Sequence, residues 1–204
     1  YLRYEQNRTQ ESRELCQELL PLLRVASTPE NFSSVYTTLA RLEIAAGRLC
    51  EAQRLLEDLH SAMKDGRHTR LIALCVYERV RATLLSDDTD LAWRIANEAG
   101  VHALASEGAW SRVATYEPAW ERLGQTHAML LLREGQTDAC RTTLQTLIRS
   151  ASHAGCIVRA VGLEALLASC EWRAGDRVQA FAALNRAHAR TRSVGFVRSV
   201  FDEA

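Results

Sequence analysis

Apolar residues along this chain recur every three or four positions. Leu55, Leu56 and Leu59 form one such run, and Leu144, Leu147 and Ile148 another. That spacing places side chains on one face of an α-helix. The pattern predicts helices over 8–26, 32–46, 49–65, 68–85, 88–106, 109–134 with a break, 137–153, 157–174 and 177–193. The break is expected near Pro118, because proline lacks a backbone donor and disfavours helix in the residue before it.

Glycines punctuate these helices at regular intervals. Gly47, Gly135 and Gly175 are each followed by a small residue five positions on (Ala52, Cys140, Ala180) and by leucine nine positions on (Leu56, Leu144, Leu184). Asp87 holds the equivalent place in a degenerate copy, with Ala92 and Ala96 downstream. A second series, Gly66, Gly108, Gly155 and Gly195, falls about halfway to the next marker. Glycine just past a helical run suits a left-handed turn, where a Cβ would be penalised. Each repeat is therefore a pair of helices, with repeats near 32–66, 67–108, 109–155 and 156–195. One pair cannot cover both of its own apolar stripes, so neighbouring pairs must stack. The expected fold is an all-α superhelical solenoid of about four helix pairs plus an N-terminal helix, forming a single domain over 1–204.

Composition agrees with this picture. Prolines number three and glycines ten, while 47% of residues are hydrophobic, enough for a continuous core. Twenty-five basic residues balance twenty-five acidic ones, so no general field draws nucleic acid or a polyanionic substrate to the chain. Six widely spaced cysteines, without a C-x-x-C pair, read as reduced core residues of a cytoplasmic protein. No apolar run is long enough to span a bilayer, and no leader opens the sequence. The chain begins at Tyr1 and stops at Ala204 in a way that suggests a fragment of a larger protein.

Catalytic chemistry has no visible carrier. None of the six histidines pairs with another His or Cys at a spacing that converges on one helix face, and His153 with Cys156 supplies only two ligands. No nucleophile has a readable base, and no phosphate loop is present. The run Asp87-Asp88-Thr89-Asp90 reads as a helix start rather than a calcium loop. The chain is expected not to be an enzyme and to carry no metal or cofactor of its own.

Binding is the remaining class of function. In stacked pairs the first helices line a concave face, and one stripe per repeat is expected to face it. The stripes are Thr37, Arg41 and Ile44; Tyr77, Arg81 and Leu84; Gln125, Met129 and Leu132; and Ala165, Ser169 and Trp172. Arg41 and Arg81 suit a carboxylate or acidic peptide, and Tyr77 and Trp172 offer flat apolar surface. The eight candidates for an effector or peptide groove are Thr37, Arg41, Tyr77, Arg81, Gln125, Met129, Ser169 and Trp172. The third repeat, longer by eight residues, offers a second candidate pocket in Trp110, Tyr116, Trp120 and Arg122.

Tyr36, Leu39, Ala40, Gly47 and Ala52 follow the order of the tetratricopeptide repeat, which this chain resembles. Ala128 and Ala168 keep its small position, whereas Gly124 and Glu164 replace its bulky residue and His127 its leucine. The period of 40 exceeds the 34 usual for that repeat. Residues 30–204 resemble the sensor of MalT-like regulators of the LuxR class. The likeness is densest through Ala174-Gly175-Asp176, Ala180, Leu184, Ala187, Gly195-Phe196-Val197-Arg198 and Phe201-Asp202-Glu203. The resemblance implies reception of a small-molecule inducer or protein partner. It also implies ATP only in an upstream domain and DNA contact only through a C-terminal helix-turn-helix. Self-association is compatible with it, and membrane association is not expected. The alternative is a free-standing repeat adaptor that docks other proteins.

Overall fold

A computed structural model describes residues 1–23, 28–63, 68–111 and 116–203, with backbone alone for Ser111, Ser193, Val194 and Ser199. Gly66 and parts of the expected helix ends at 26 and 65 lie outside the described residues. Every regular element described is helical. The helices are α1 (Leu2–Glu5), α2 (Thr9–Leu23), α3 (Pro29–Ala45), α4 (Leu49–Ala62), α5 (Thr69–Leu85), α6 (Thr89–Glu98) and α7 (Val101–Ser106). A 3₁₀ turn follows at Ala109–Ser111, and then α8 (Pro118–Arg133), α9 (Thr137–His153), α10 (Ile157–Arg173), α11 (Arg177–Val194) and α12 (Arg198–Phe201). Two compact units divide the chain, Tyr1–Ala99 and Gly100–Ala204. No described helix is long and apolar enough to cross a membrane.

The repeat markers all adopt the left-handed backbone that their sequence positions require. Gly47, Gly135 and Gly175 have φ of 73°, 76° and 84°, and Asp87 takes 60° without being glycine. Each turn is closed by an amide reaching back to the carbonyl five residues earlier. Arg48 bonds Glu43 at 2.9 Å, Asp88 bonds Thr83 at 3.3 Å, Gln136 bonds Leu131 at 2.9 Å and Asp176 bonds Glu171 at 3.0 Å. This pattern satisfies carbonyls that the helix end would otherwise leave orphaned. Asn7 repeats it, with φ 60° and Arg8 bonding the Arg3 carbonyl at 2.8 Å. The helix expected from residue 8 is α2, and a short α1 not expected from the sequence precedes it across a further marker, 40 residues before Gly47.

Local chemistry starts the helices as cleanly as it ends them. Asp88 and Asp176 accept the amides of Leu91 at 2.9 Å and Gln179 at 3.0 Å, so the acidic run at 87–90 is a helix start. Pro118 stands at the first position of α8 and opens the helix rather than kinking one. The expected continuous helix over 88–106 is instead broken at Gly100, whose φ of 77° separates α6 from α7.

Within the first unit, Tyr36, Ala40, Ala52, Leu56, Leu59 and Cys75 form a core between α3, α4 and α5. Tyr4, Cys16, Val35, Leu39 and Leu42 form another between α1, α2 and α3. Within the second, Leu130, Cys140, Leu144, Leu163, Cys170 and Ala183 are buried between α8, α9, α10 and α11. The small residues five after each marker, Ala52, Ala92, Cys140 and Ala180, are all buried. Leu184, expected to match buried Leu56 and Leu144, is exposed. Cys16, Cys75, Cys140 and Cys170 are buried free thiols, and burial pushes the Cys75 thiol up to about 12. Cys50 departs from the expected pattern and is exposed.

Gly175 tests the turn directly. A Cβ built there meets nothing within 4 Å, so Gly175→Ala probes backbone conformation alone. The variant is expected to lose about 1–2 kcal/mol in urea unfolding, with far-UV helicity unchanged. An unaltered midpoint would show that the left-handed turn is not a constraint.

Candidate functional site

Most of the expected groove stripe lies inside the protein. Thr37, Arg41, Tyr77, Gln125 and Met129 are buried, and Arg81 nearly so. The physical reason is direct packing of neighbouring first helices, α3 on α5 and α8 on α10, which turns the stripe into a seam. Arg41 donates through Nε to Glu78 Oε1 at 2.7 Å, and Arg81 lies 3.5 Å from the other oxygen of the same carboxylate. The two cations expected to receive a ligand therefore hold a glutamate of their own unit. Glu78 is fully buried, and without such partners its charge would be costly to bury.

A comparable polar cluster occupies the second unit. Glu121, buried on α8, accepts Nε of Arg159 from α10 at 2.9 Å and the Tyr116 hydroxyl at 2.5 Å. Gln125, one turn further along, is 0% exposed. Its carbonyl oxygen accepts Arg122 at 3.1 Å and Arg159 at 2.6 Å, and its amide donates to Glu203 at 3.0 Å. Burial alone raises a carboxyl pKa, but the Arg159 guanidinium, Arg122 and the Tyr116 hydroxyl outweigh it and hold Glu121 below the usual carboxylate value. Tyr116 moves the opposite way, upward, through burial and the neighbouring Glu121 charge.

Of the four residues expected to form an insertion pocket, two meet in this cluster. Tyr116 and Arg122 join the Glu121 and Gln125 cluster. Trp110 packs instead against α8, its ring centroid 6.2 Å from that of His127. Gly124 makes this approach possible, since a Cβ there would sit 3.2 Å from the Trp110 ring and 3.0 Å from Leu147. Trp120 is 38% exposed.

A described cleft adjoins the last stripe of the eight candidates. Ser169 and Trp172 line a cleft of about 450 Å³ between α10 and α11, with Ala168, Arg173, Ala180, Phe181 and Leu184. Trp172 is 52% exposed and Phe181 59%. Their rings meet edge to face at 6.4 Å, and the Arg177 guanidinium lies 4.8 Å over the indole. Arg173 donates to the Leu132 carbonyl at 3.1 Å, fixing one wall of the cleft. Phe181 and Leu184 were missed as site residues because their helical spacing equally fits a core stripe. Among the described residues no group of three His, Cys, Asp or Glu side chains is placed to hold a metal ion.

The family of MalT-like TPR regions matches residues 1–204 of the sequence. The chain belongs to that family. No curated protein matches the sequence. Among solved structures, BtubC (BKLC) from P. vanneervenii is similar at a TM-score of 0.55 and 14% identity, over 94% of this chain and 76% of that one. A kinesin light chain candidate from Podosopora anserina, with nearly identical TPR-like repeats, gives 0.52 at 18% identity over 94% and 91%, in its Q17M form. A second structure of that protein gives 0.51 at 18% identity over 94% and 92%. At these identities the likeness establishes the fold, an all-α solenoid class of TPR-like helix pairs.

Acid should loosen this MalT-like TPR region through its clamped carboxylates. Arg48, against the cost of burial and with help from Arg13, also holds Glu43 low. Groups whose folded pKa is depressed stabilise the fold above their ordinary value near 4.5, and that stability is lost as pH falls through the lowered value. Glu121→Gln should lose about 3 kcal/mol at neutral pH, because Arg159 is left half-buried without its charge partner. Its unfolding midpoint should also fall less steeply than the wild type's below pH 4.5. Parallel acid profiles would contradict the assignment.

Proposed function

We propose that this region is the receiving part of a LuxR-class, MalT-like transcription regulator, and that it takes an effector or protein partner on the α10–α11 cleft. The family match over residues 1–204 carries the regulator reading. The cleft is favoured because Trp172 and Phe181 stay exposed around a space of about 450 Å³, while the arginines first suspected are consumed within the seam. Pockets of this size with an aromatic wall and a few polar groups are the usual form of small-molecule sites. In this reading the region contributes binding and no chemistry. ATP turnover and DNA contact are the work of other domains of such a regulator, and the region operates in the cytoplasm. An adaptor that only docks proteins would use the same helix pairs, but the MalT-like family gives it no particular support.

A thermal-shift screen of small metabolites separates occupied from empty clefts, since a ligand that binds only the folded state raises its midpoint by mass action. Trp172→Ala with Phe181→Ala is expected to leave the unliganded midpoint within about 1 kcal/mol of wild type, both residues being largely exposed. Any compound that stabilises the wild type should lose its effect on this double variant. A compound that shifts both proteins equally binds elsewhere and removes the cleft from the proposal.

A further inference from the structure

The two helices that wall the α10–α11 cleft handle their charges in two ways. Midway along α11, Arg186 pairs with Glu164 of α10 at 2.8 Å, the same device that consumes Arg41 and Arg159. Around the Gly175 turn that device is missing. Arg173, the last residue of α10, lines the cleft and gives one of its five N–H donors to a neutral acceptor, the Leu132 carbonyl. Arg177, the first residue of α11, holds its guanidinium over the Trp172 indole. Neither has a carboxylate partner among the described residues. The nearest acids in sequence are already engaged, Glu171 by Arg141 at 2.8 Å and Asp176 by the Gln179 amide at 3.0 Å. Both arginines are exposed, so two unneutralised cations stand at the turn end of a cleft whose lining is otherwise mostly apolar.

That combination selects among ligand chemistries. Ala168, Ala180, Phe181 and Leu184 offer a ligand no side-chain hydrogen bond, and the Ser169 hydroxyl already donates to the Ala165 carbonyl at 3.5 Å. A polyhydroxy compound would leave most of its polar groups without partners here, and each one buried in that state is costly. A cation would be repelled by the two guanidinium groups. An apolar anion meets neither obstacle, since its body covers the Trp172 and Phe181 rings and its charge falls to arginines that no glutamate has claimed. We infer that the ligand of this cleft is a small organic acid with a flat apolar body, whose carboxylate is taken by Arg173 and Arg177. The inference names the ligand class of the site proposed above and rests on that reading. It gives Arg173 and Arg177 the task that spacing predicts for Arg41 and Arg81.

The test uses the full chain with 2-naphthoate, its neutral analogue 2-naphthamide, and acetate, each titrated by calorimetry. Naphthoate should bind at least about tenfold tighter than naphthamide, as a hydrogen bond to a charged group allows. Its affinity should fall with added salt, because both cations are exposed. Acetate, which lacks the apolar body, should show no saturable binding. Arg173→Gln with Arg177→Gln should leave naphthoate and naphthamide with equal affinity, and the retained naphthamide binding separates this loss from unfolding. No naphthoate binding at millimolar concentration, naphthoate no tighter than naphthamide, or a preference that survives loss of both arginines would each overturn the inference. A neutral metabolite whose binding needs Trp172 and Phe181 would uphold the cleft and overturn the acid. If naphthoate binding survives Trp172→Ala with Phe181→Ala, the acid sits elsewhere, and the inference falls together with the cleft reading.

Discussion

A glutamate buried on one helix and held by an arginine from a neighbouring helix recurs through both units, and the rest of the structure is arranged around it. Arg41 on α3 clamps Glu78 on α5, and Arg159 on α10 clamps Glu121 on α8. Between second and first helices the same device appears as Arg13 with Glu43 and Arg141 with Glu171, each pair 30 residues apart. Glu43 and Glu171 both stand four residues before a marker glycine. Apolar stripes supply most of the driving force for stacking, but they tolerate sliding. A buried charge does not, because leaving it unpaired costs several kcal/mol. The clamps therefore set register, and by drawing arginines inward they decide which surfaces remain for binding.

The repeat was legible because its grammar is local. A left-handed turn needs glycine or a residue that tolerates positive φ, and the helices on either side need small and large residues at fixed offsets. Gly47, Gly135 and Gly175 announced the turns, and Asp87 was recovered from its spacing. Asn7 obeys the same rule, with Ser12 and Cys16 buried five and nine positions after it. It escaped notice because none of the three is the residue that the other copies use. Gly100 escaped for the opposite reason. It falls outside the 40-residue grammar, so nothing in the apolar pattern distinguished a helix break from a tolerated glycine.

The site was less legible, since exposure at a helical position depends on what the neighbouring helix supplies. Spacing suggested a shared face for Arg41 and Arg81, but it did not reveal that both meet Glu78. Trp172 and Ser169 belong to the same predicted stripe and border open space, with Phe181 and Leu184 of α11 on its other side. Tyr116, Arg122 and Gln125 were chosen for two different sites and converge on one cluster through Glu121, Arg159 and Glu203, contacts that span up to 78 residues. Separations of that length leave no local signal. A MalT-like TPR region thus writes its turns into the sequence plainly and its binding surfaces only through tertiary packing.

The claim that buried arginine–glutamate pairs register the helices is tested most directly by a double-mutant cycle on Arg41→Met and Glu78→Gln, followed by urea unfolding. The clamp predicts a coupling energy of about 2 kcal/mol or more, with each single variant costing more than the pair removed together would suggest. Additive losses, within about 0.5 kcal/mol of the sum of the two singles, would contradict it.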